Sequence, residues 1–93
     1  MKVLQSRSFE RKVKKFSKAQ KFQVDKQVKL IVEDSTIGIE KKGDLRGIYV
    51  HKFKIKTIQY LLAYRIIAEN LELMMIGPHE NYYRDLKKYI KTA

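Results

Sequence analysis

The chain has 93 residues, 44% of them hydrophobic, and its 21 lysines and arginines against 10 acidic residues give a net charge of +11. This length supports one domain, residues 1–93, with a single core; the hydrophobic fraction excludes a disordered chain, and the charge predicts a polyanionic partner. The absence of cysteine excludes disulfides and thiolate metal sites, and the absence of a long apolar run or a signal-peptide core predicts a soluble, cytoplasmic protein with no membrane association.

The N-terminal third contains neither proline nor glycine, and its apolar residues show helical spacing. Val3 and Leu4 predict a short strand, after which Ser6 or Ser8 can cap a first helix over residues 9–16. Apolar residues recur at intervals of four and three, which is typical of one buried helix face. The residues predicted to face inward are Phe9, Val13 and Phe16.

Ser17 is predicted to cap a second helix that runs to about Asp34. The residues of this helix predicted to face inward are Phe22 or Val24, followed by Val28, Ile31 and Val32. Asp34 leads into a segment that contains Gly38 and Gly43, in which residues 37–39 predict a short edge strand. The two helices therefore form a hairpin with a basic outer face.

The second half of the chain predicts a sheet followed by a helix. Three strand-like runs are present, at residues 48–55, 58–68 and 71–76. Their connections are short, which favours an antiparallel meander that Gly77 and Pro78 bring to an end. Residues 79–91 predict a last helix, with Tyr82 or Tyr83, Leu86 and Ile90 facing inward.

The element order β-α-α-β-β-β-α predicts an α+β fold, in which two N-terminal helices and a C-terminal helix pack with a small antiparallel sheet. We expect the helices to cover one face of this sheet and the lysines of its first long strand to lie on the other face. The tyrosines of the sheet, together with His51, are predicted to belong to the core or its rim. These tyrosines are Tyr49, Tyr60 and Tyr64.

Lys52 and Lys54 are two residues apart on a predicted strand, so their side chains project from the same face. Like charges at this spacing repel each other unless an anion lies between them, and the pair therefore indicates a phosphate-binding site. Tyr49, Phe53 and Ile55 already supply the core contact from the opposite face of the strand. The alternative is an ordinary solvated strand face.

His79 is four residues before Tyr83, and both are predicted to lie on the same face of the last helix. A histidine exchanges protons near neutral pH, and an aromatic ring can stack on a nucleobase. The pair therefore indicates a site that acts on RNA. A surface or capping histidine is the alternative.

The segment LRGIYVHKFKIKTIQYLLAYRI, residues 45–66, resembles the central hairpin of RelE-type toxins of bacterial toxin–antitoxin modules. The predicted element order is similar too, and the resemblance extends to GPHENYY at residues 77–83. It implies a small basic ribonuclease that enters the ribosomal A site and cuts mRNA there. It also implies a cognate acidic antitoxin that neutralises the toxin.

Two lysines of RelE match Lys52 and Lys54, whereas Leu61 stands where RelE has a catalytic arginine. His79 and Tyr83 are similar to the histidine and aromatic residue of the related YafQ branch, so the chain combines two types of site. The resemblance implies that the catalytic residues are Lys52, Lys54, His79 and Tyr83. The further basic residues expected to contact RNA are Arg46, Lys56, Arg65 and Arg84.

The sequence has no spacing typical of a metal site and no cofactor motif, so we expect side chains alone to cleave RNA. Lys54 is the expected proton acceptor or its electrostatic helper, with Lys52 and Arg84 stabilising the phosphate charge. His79 is the expected general acid, and Tyr83 is expected to stack on or orient the base.

Two alternatives lack this chemistry. The ParE branch shares the fold but acts on DNA gyrase without ribonuclease activity, and a basic module of this kind can also bind RNA without cutting it. Binding to a membrane surface fits less well, because the basic residues are spread over helices and sheet.

Overall fold

The computed structural model describes residues 2–92, which form three α-helices and a five-stranded sheet of strand order β1-β5-β4-β3-β2. The helices are α1 (Arg7–Lys14), α2 (Lys18–Glu33) and α3 (Tyr82–Thr92). The strands are β1 (Val3–Gln5), β2 (Ile39–Glu40), β3 (Tyr49–Ile55), β4 (Ile58–Ile67) and β5 (Asn70–Pro78). The predicted α+β fold is confirmed, and no helix of the described residues is long and apolar enough to cross a membrane.

The sheet is mixed, whereas the sequence predicted a wholly antiparallel one. Strands β2 to β5 pair antiparallel, but β1 pairs parallel to β5, with Val3 opposite Leu71. The helices α1 and α2 carry the chain from one edge of the sheet to the other, and the meander then returns to the first edge. The last strand of the meander therefore arrives beside β1 in the same direction.

Serine caps begin both N-terminal helices, as the sequence predicted. The Ser6 hydroxyl accepts a hydrogen bond from the Phe9 N–H and donates one to the Met74 carbonyl, which ties the start of α1 to β5. Ser17 and Gln20 form a reciprocal capping box at the start of α2. Of the two candidate caps for α1, the structure therefore uses Ser6.

Helices cover both faces of the sheet, and the prediction that they share one face was wrong. α1 and α2 pack on the face that carries Tyr60, Leu62 and Tyr64, whereas α3 packs on the face that carries Leu61 and Ala63. The run from Tyr60 to Tyr64 is entirely buried, which is typical of a strand covered on both sides. The tyrosines predicted for the core are confirmed there, with Tyr49 partly buried.

Of the two alternatives predicted for the first core position of α2, Val24 is buried and Phe22 is 60% exposed. Ile31 is buried as predicted, whereas the predicted core residue Val32 is 41% exposed. Phe22 lies two residues from Val24, or about 200° around the helix, so both cannot face the sheet. The Lys26 ammonium lies over the Phe22 ring, 5.3 Å from its centre.

The last helix begins at Tyr82, three residues later than predicted. Pro78 still belongs to β5, and the His79 N–H continues the ladder by donating to the Gln59 carbonyl at 3.1 Å. Asn81 then takes a positive φ of 58°, which turns the chain before α3 begins. His79 therefore lies on the end of the sheet and not on the helix.

The connection between α2 and β2 is held by a buried tyrosine. The Tyr64 hydroxyl donates to the Ser35 carbonyl at 2.7 Å and accepts from the Gly38 N–H at 2.9 Å. A Cβ atom at Gly38 would lie 2.7 Å from the Tyr64 hydroxyl oxygen and 2.9 Å from its ring. Only glycine therefore fits at this position with both hydrogen bonds intact.

We predict that Gly38→Ala lowers the free energy of unfolding by about 3 kcal/mol, because the methyl group displaces Tyr64 and breaks its hydrogen bonds. Gly77→Ala is the matched control, since its Cβ would meet the Tyr82 ring at an ordinary 3.6 Å. We expect the control to change stability by less than about 1 kcal/mol. Urea unfolding of both variants tests this, and equal losses would show that the Tyr64 contact is unimportant.

Candidate functional site

Three residues from three strands form a row at one end of the sheet. Lys54 on β3 lies opposite Gln59 on β4, and His79 at the end of β5 donates its N–H to the Gln59 carbonyl. Alternation along the strands places all three side chains on the same face of the sheet. The row spans about 10 Å, because neighbouring strands lie about 4.8 Å apart.

Lys52 lies beside this row on the same face, opposite Leu61. Lys52, Lys54 and His79 are exposed, because α3 covers only the part of the face that carries Val50, Leu61 and Ala63. The structure therefore brings together the lysine pair and His79, which are about 25 residues apart in the chain.

Gln59 is part of the row but was not singled out from the sequence. Its side chain is half-buried between Lys54 and His79, where the amide can both donate and accept hydrogen bonds. The sequence signal that could have identified Gln59 is its position opposite Lys54 in the hairpin, but that position depends on the register of the two strands. A glutamine between a lysine and a histidine offers neutral hydrogen-bonding contacts to a ligand held between them.

Leu61 is fully buried and belongs to the same cluster as Tyr82 and Leu86 of α3. The position that the resemblance matches to an arginine of RelE is therefore covered by the last helix in this chain. A cation at this position would have to displace α3 to reach a ligand.

Tyr83 does not share a helical face with His79, so that prediction was wrong. Its ring lies against the Lys41 ammonium, 4.9 Å from the ring centre, and meets Tyr82 edge-on at 5.8 Å. The Tyr83 hydroxyl is buried and makes no hydrogen bond within residues 2–92. Tyr83 therefore packs against Lys41 and Tyr82, and its predicted helical pairing with His79 does not form.

The other predicted RNA contacts lie at different distances from the row. Lys56 occupies the turn between β3 and β4 with a φ of 57° and is exposed next to the row. Arg46 is exposed, and its backbone forms an isolated β-bridge with Lys41. Arg84 is exposed near the start of α3, where its Nε lies 3.7 Å from Oδ1 of Asp85. Of these three residues, Lys56 is therefore adjacent to the row, whereas Arg46 lies before the other end of β3.

Arg65 lies outside this group. Its guanidinium is paired with the Glu72 carboxylate on the neighbouring strand at 2.5 Å. Along β4 it is six residues from Gln59, which corresponds to about 20 Å. The structure therefore does not bring Arg65 together with the lysine pair and His79.

His51 belongs to the rim of the core, as predicted. Its Nε2–H donates to the Gln27 amide oxygen at 2.7 Å, and its ring stacks on Phe53 with 5.8 Å between ring centres. Burial lowers the pKa of His51 because the charged imidazolium is less well solvated there. Within residues 2–92, no group of three or more acidic or histidine side chains is placed to hold a metal ion.

Residues 3–87 match the sequence profile of the ParE-like toxin of type II bacterial toxin–antitoxin systems. Among solved structures, isolated E. coli RelE (the P21 form) superposes with a TM-score of 0.65 and 20% identity, covering 94% of this chain and 96% of that one. A double arginine-to-alanine mutant of E. coli RelE in the free state gives 0.72 and 18%, covering 98% and 95%.

A chain of the intact E. coli RelBE toxin–antitoxin complex gives a TM-score of 0.67 and 20% identity, covering 85% of this chain and 96% of that one. At these identities the structural matches establish a shared fold. No curated protein sequence matches the chain.

Because folding lowers the pKa of His51 below its ordinary 6.5, the unfolded chain takes up a proton first as the pH falls. We predict that this histidine leaves stability unchanged above about pH 6.5 and lowers the free energy of unfolding as the pH falls below that value. His51→Gln should flatten the dependence between about pH 7 and pH 5. Urea midpoints across this range test this, and an unchanged slope would contradict it.

Because the Tyr83 hydroxyl is buried without a partner, we predict that Tyr83→Phe raises the free energy of unfolding by about 1 kcal/mol. Tyr82→Phe is the control, since the Tyr82 hydroxyl donates to the Met75 carbonyl at 2.7 Å and its loss should be destabilising. Chemical unfolding of both variants measures the difference. Destabilisation by Tyr83→Phe would mean that this hydroxyl has a partner in solution.

Proposed function

The chain belongs to the family of ParE-like toxins of type II bacterial toxin–antitoxin systems, and we propose that this toxin is a metal-independent endoribonuclease. Its proposed substrate is mRNA in the ribosomal A site. Cleavage of this mRNA in the cytoplasm would inhibit translation. One observation carries the proposal: Lys54, Gln59 and His79 form a row on an open sheet face, with Lys52 beside it.

The row suits a phosphodiester that lies above Gln59. The lysine ammonium reaches it from one side and the imidazole from the other, across a span of about 10 Å between the outer strands. Lys52 and Lys54 repel each other on the empty sheet, and a phosphate between them removes that repulsion. The lysine pair is therefore better explained by an anionic ligand than by the stability of the fold.

RNA cleavage at this site is proposed to proceed by attack of the ribose 2′-oxygen on the adjacent phosphorus, with departure of the 5′-oxygen. Lys54 accepts the 2′-hydroxyl proton or stabilises its loss, and Lys52 and Arg84 balance the charge that develops on the phosphate. His79 donates a proton to the leaving 5′-oxygen. The products are a 2′,3′-cyclic phosphate and a 5′-hydroxyl.

Tyr83 acts indirectly in this proposal. Its ring holds the Lys41 ammonium, and we assign this cation to a contact with the RNA backbone. Arg46 and Lys56 are assigned to further backbone contacts. Arg65 is paired with Glu72 and is given no role in the cleavage.

As the toxin of a type II module, the protein has a cognate antitoxin. We propose that this antitoxin presents an acidic segment, because a net charge of +11 in 93 residues needs a counter-charge when the toxin is held inactive. An acidic segment over the lysine pair would compete directly with RNA.

A second candidate function is that of a toxin without nuclease activity that acts on DNA gyrase or binds RNA without cutting it. Leu61 favours this candidate, because it puts a buried apolar side chain where RelE has an arginine. Lys52, Lys54 and His79 favour the nuclease, since a pure binding surface has no need of a proton donor beside the cations.

We predict that His79→Ala and Lys54→Ala each slow mRNA cleavage by about 10²–10³-fold, because each removes a group that transfers a proton or stabilises charge. Primer extension on mRNA from induced cells, with growth arrest as a second readout, measures this. Lys21→Ala is the matched control, an exposed lysine on α2 that is remote from the row.

Normal cleavage by both variants would refute the assigned roles. Breaks in DNA that depend on gyrase, without cuts in translated mRNA, would move the protein to the second candidate function.

A further inference from the structure

A groove of about 780 Å³ lies along the outer edge of β5, between α1 and α3. β1 pairs only with Leu71, Glu72 and Leu73, so within the described residues the later part of β5 has no strand on this side. Gly77 and Pro78 line the groove, and the next residue is His79. The lining of the groove therefore reaches the residue before His79, at the end of the strand.

One face of α1 lines the groove with cations. Arg11, Lys12 and the cap residue Lys15 are all exposed, and Lys15 is four residues after Arg11 and three after Lys12, so that it is a helical neighbour of each. None of them forms an ion pair within residues 2–92. The acidic residues that line the groove are Glu80 and Asp85, which leaves the lining with an excess of positive charge.

We propose that this groove binds the phosphodiester backbone of the single-stranded RNA where it leaves the row of Lys54, Gln59 and His79. The inference rests on the proposed function and gives the path of its substrate. The row holds the bond that is cut, and the cations of α1 hold the phosphates that follow it. Contacts of this kind are independent of sequence, so they fix the position of the strand without selecting its bases.

The strand edge inside the groove argues against an extended peptide as the occupant. An open edge can accept a peptide as an additional strand, but proline has no N–H to donate and prevents such pairing from continuing. Pro78 occupies this edge at the mouth of the groove. The cations lie on the flanking helix and not in register with the strand, which suits a polyanion that needs no backbone ladder.

The test compares two triple variants with equal loss of charge. The groove variant carries Arg11→Gln, Lys12→Gln and Lys15→Gln, and the control carries Lys14→Gln, Lys18→Gln and Lys21→Gln, at exposed positions that do not line the groove. Binding to 2′-O-methyl RNA, which cannot be cleaved through its 2′-oxygen, is measured by fluorescence anisotropy over a length series from trinucleotide to dodecanucleotide. Thermal unfolding checks that both variants fold.

We expect the affinity of the unmodified protein to rise with RNA length, and the groove variant to lose this rise while still binding the trinucleotide. The slope of log affinity against log salt should fall by about 2, since each single-strand phosphate contact contributes about 0.7. The control should keep the rise with length.

Equal losses of affinity for single-stranded RNA in the two variants would overturn the proposal. It would also be overturned if the groove variant bound a glutamate-rich peptide or an RNA duplex more weakly but bound single-stranded RNA as well as the unmodified protein does. Cleavage of translated mRNA by the unmodified protein separates this inference from the proposed function. Cleavage without groove-dependent binding overturns the groove alone. Groove-dependent binding without cleavage supports the groove and overturns the nuclease.

Discussion

The burial of β4 on both of its faces is the constraint on which the rest of this structure depends. Tyr60, Leu62 and Tyr64 project into one core, and Leu61 and Ala63 into the other. A strand of this kind needs helices on both sides, and α3 supplies the second cover. Because α3 stops short of Gln59, the same constraint defines how much of the sheet stays open. The candidate site is the part of the second face that the last helix does not cover.

Local signals in the sequence predicted most of the elements. Ser17 caps α2 and the long strands lie close to where alternation put them, because both features depend on neighbours in the chain. The parallel partner of β1 and the start of α3 depend on contacts between distant residues, and no local pattern encodes them. The unbroken apolar run of β4 is itself a signal for two-sided burial, which a sheet covered by helices on one face only does not explain.

In the candidate site, too, the features set by neighbouring residues were predictable from the sequence, and those set by distant contacts were not. Strand spacing predicted that Lys52 and Lys54 share a face, and the structure places them so. The pairing of His79 with Tyr83 assumed a helix that had not yet begun, and the true neighbour of His79 is Gln59. That neighbour is set by the register of two hairpins, which spacing along one segment does not reveal. Leu61 and α3 are linked in a similar way, since the apolar residue and the helix that covers it form one buried cluster.

The hairpin turns of the sheet between β3 and β4 and between β4 and β5 are formed without glycine. Lys56, Ala68 and Glu69 all take positive φ, which costs a residue other than glycine about 1–2 kcal/mol. The alternation of apolar and charged side chains along β3 favours the observed strand register, because a slip by one residue would force Lys52 and Lys54 into the core beneath α1 and α2. The two lysines therefore protect the chain against misfolding as well as marking the open face. Loss of both charges would therefore remove a determinant of strand register together with the site.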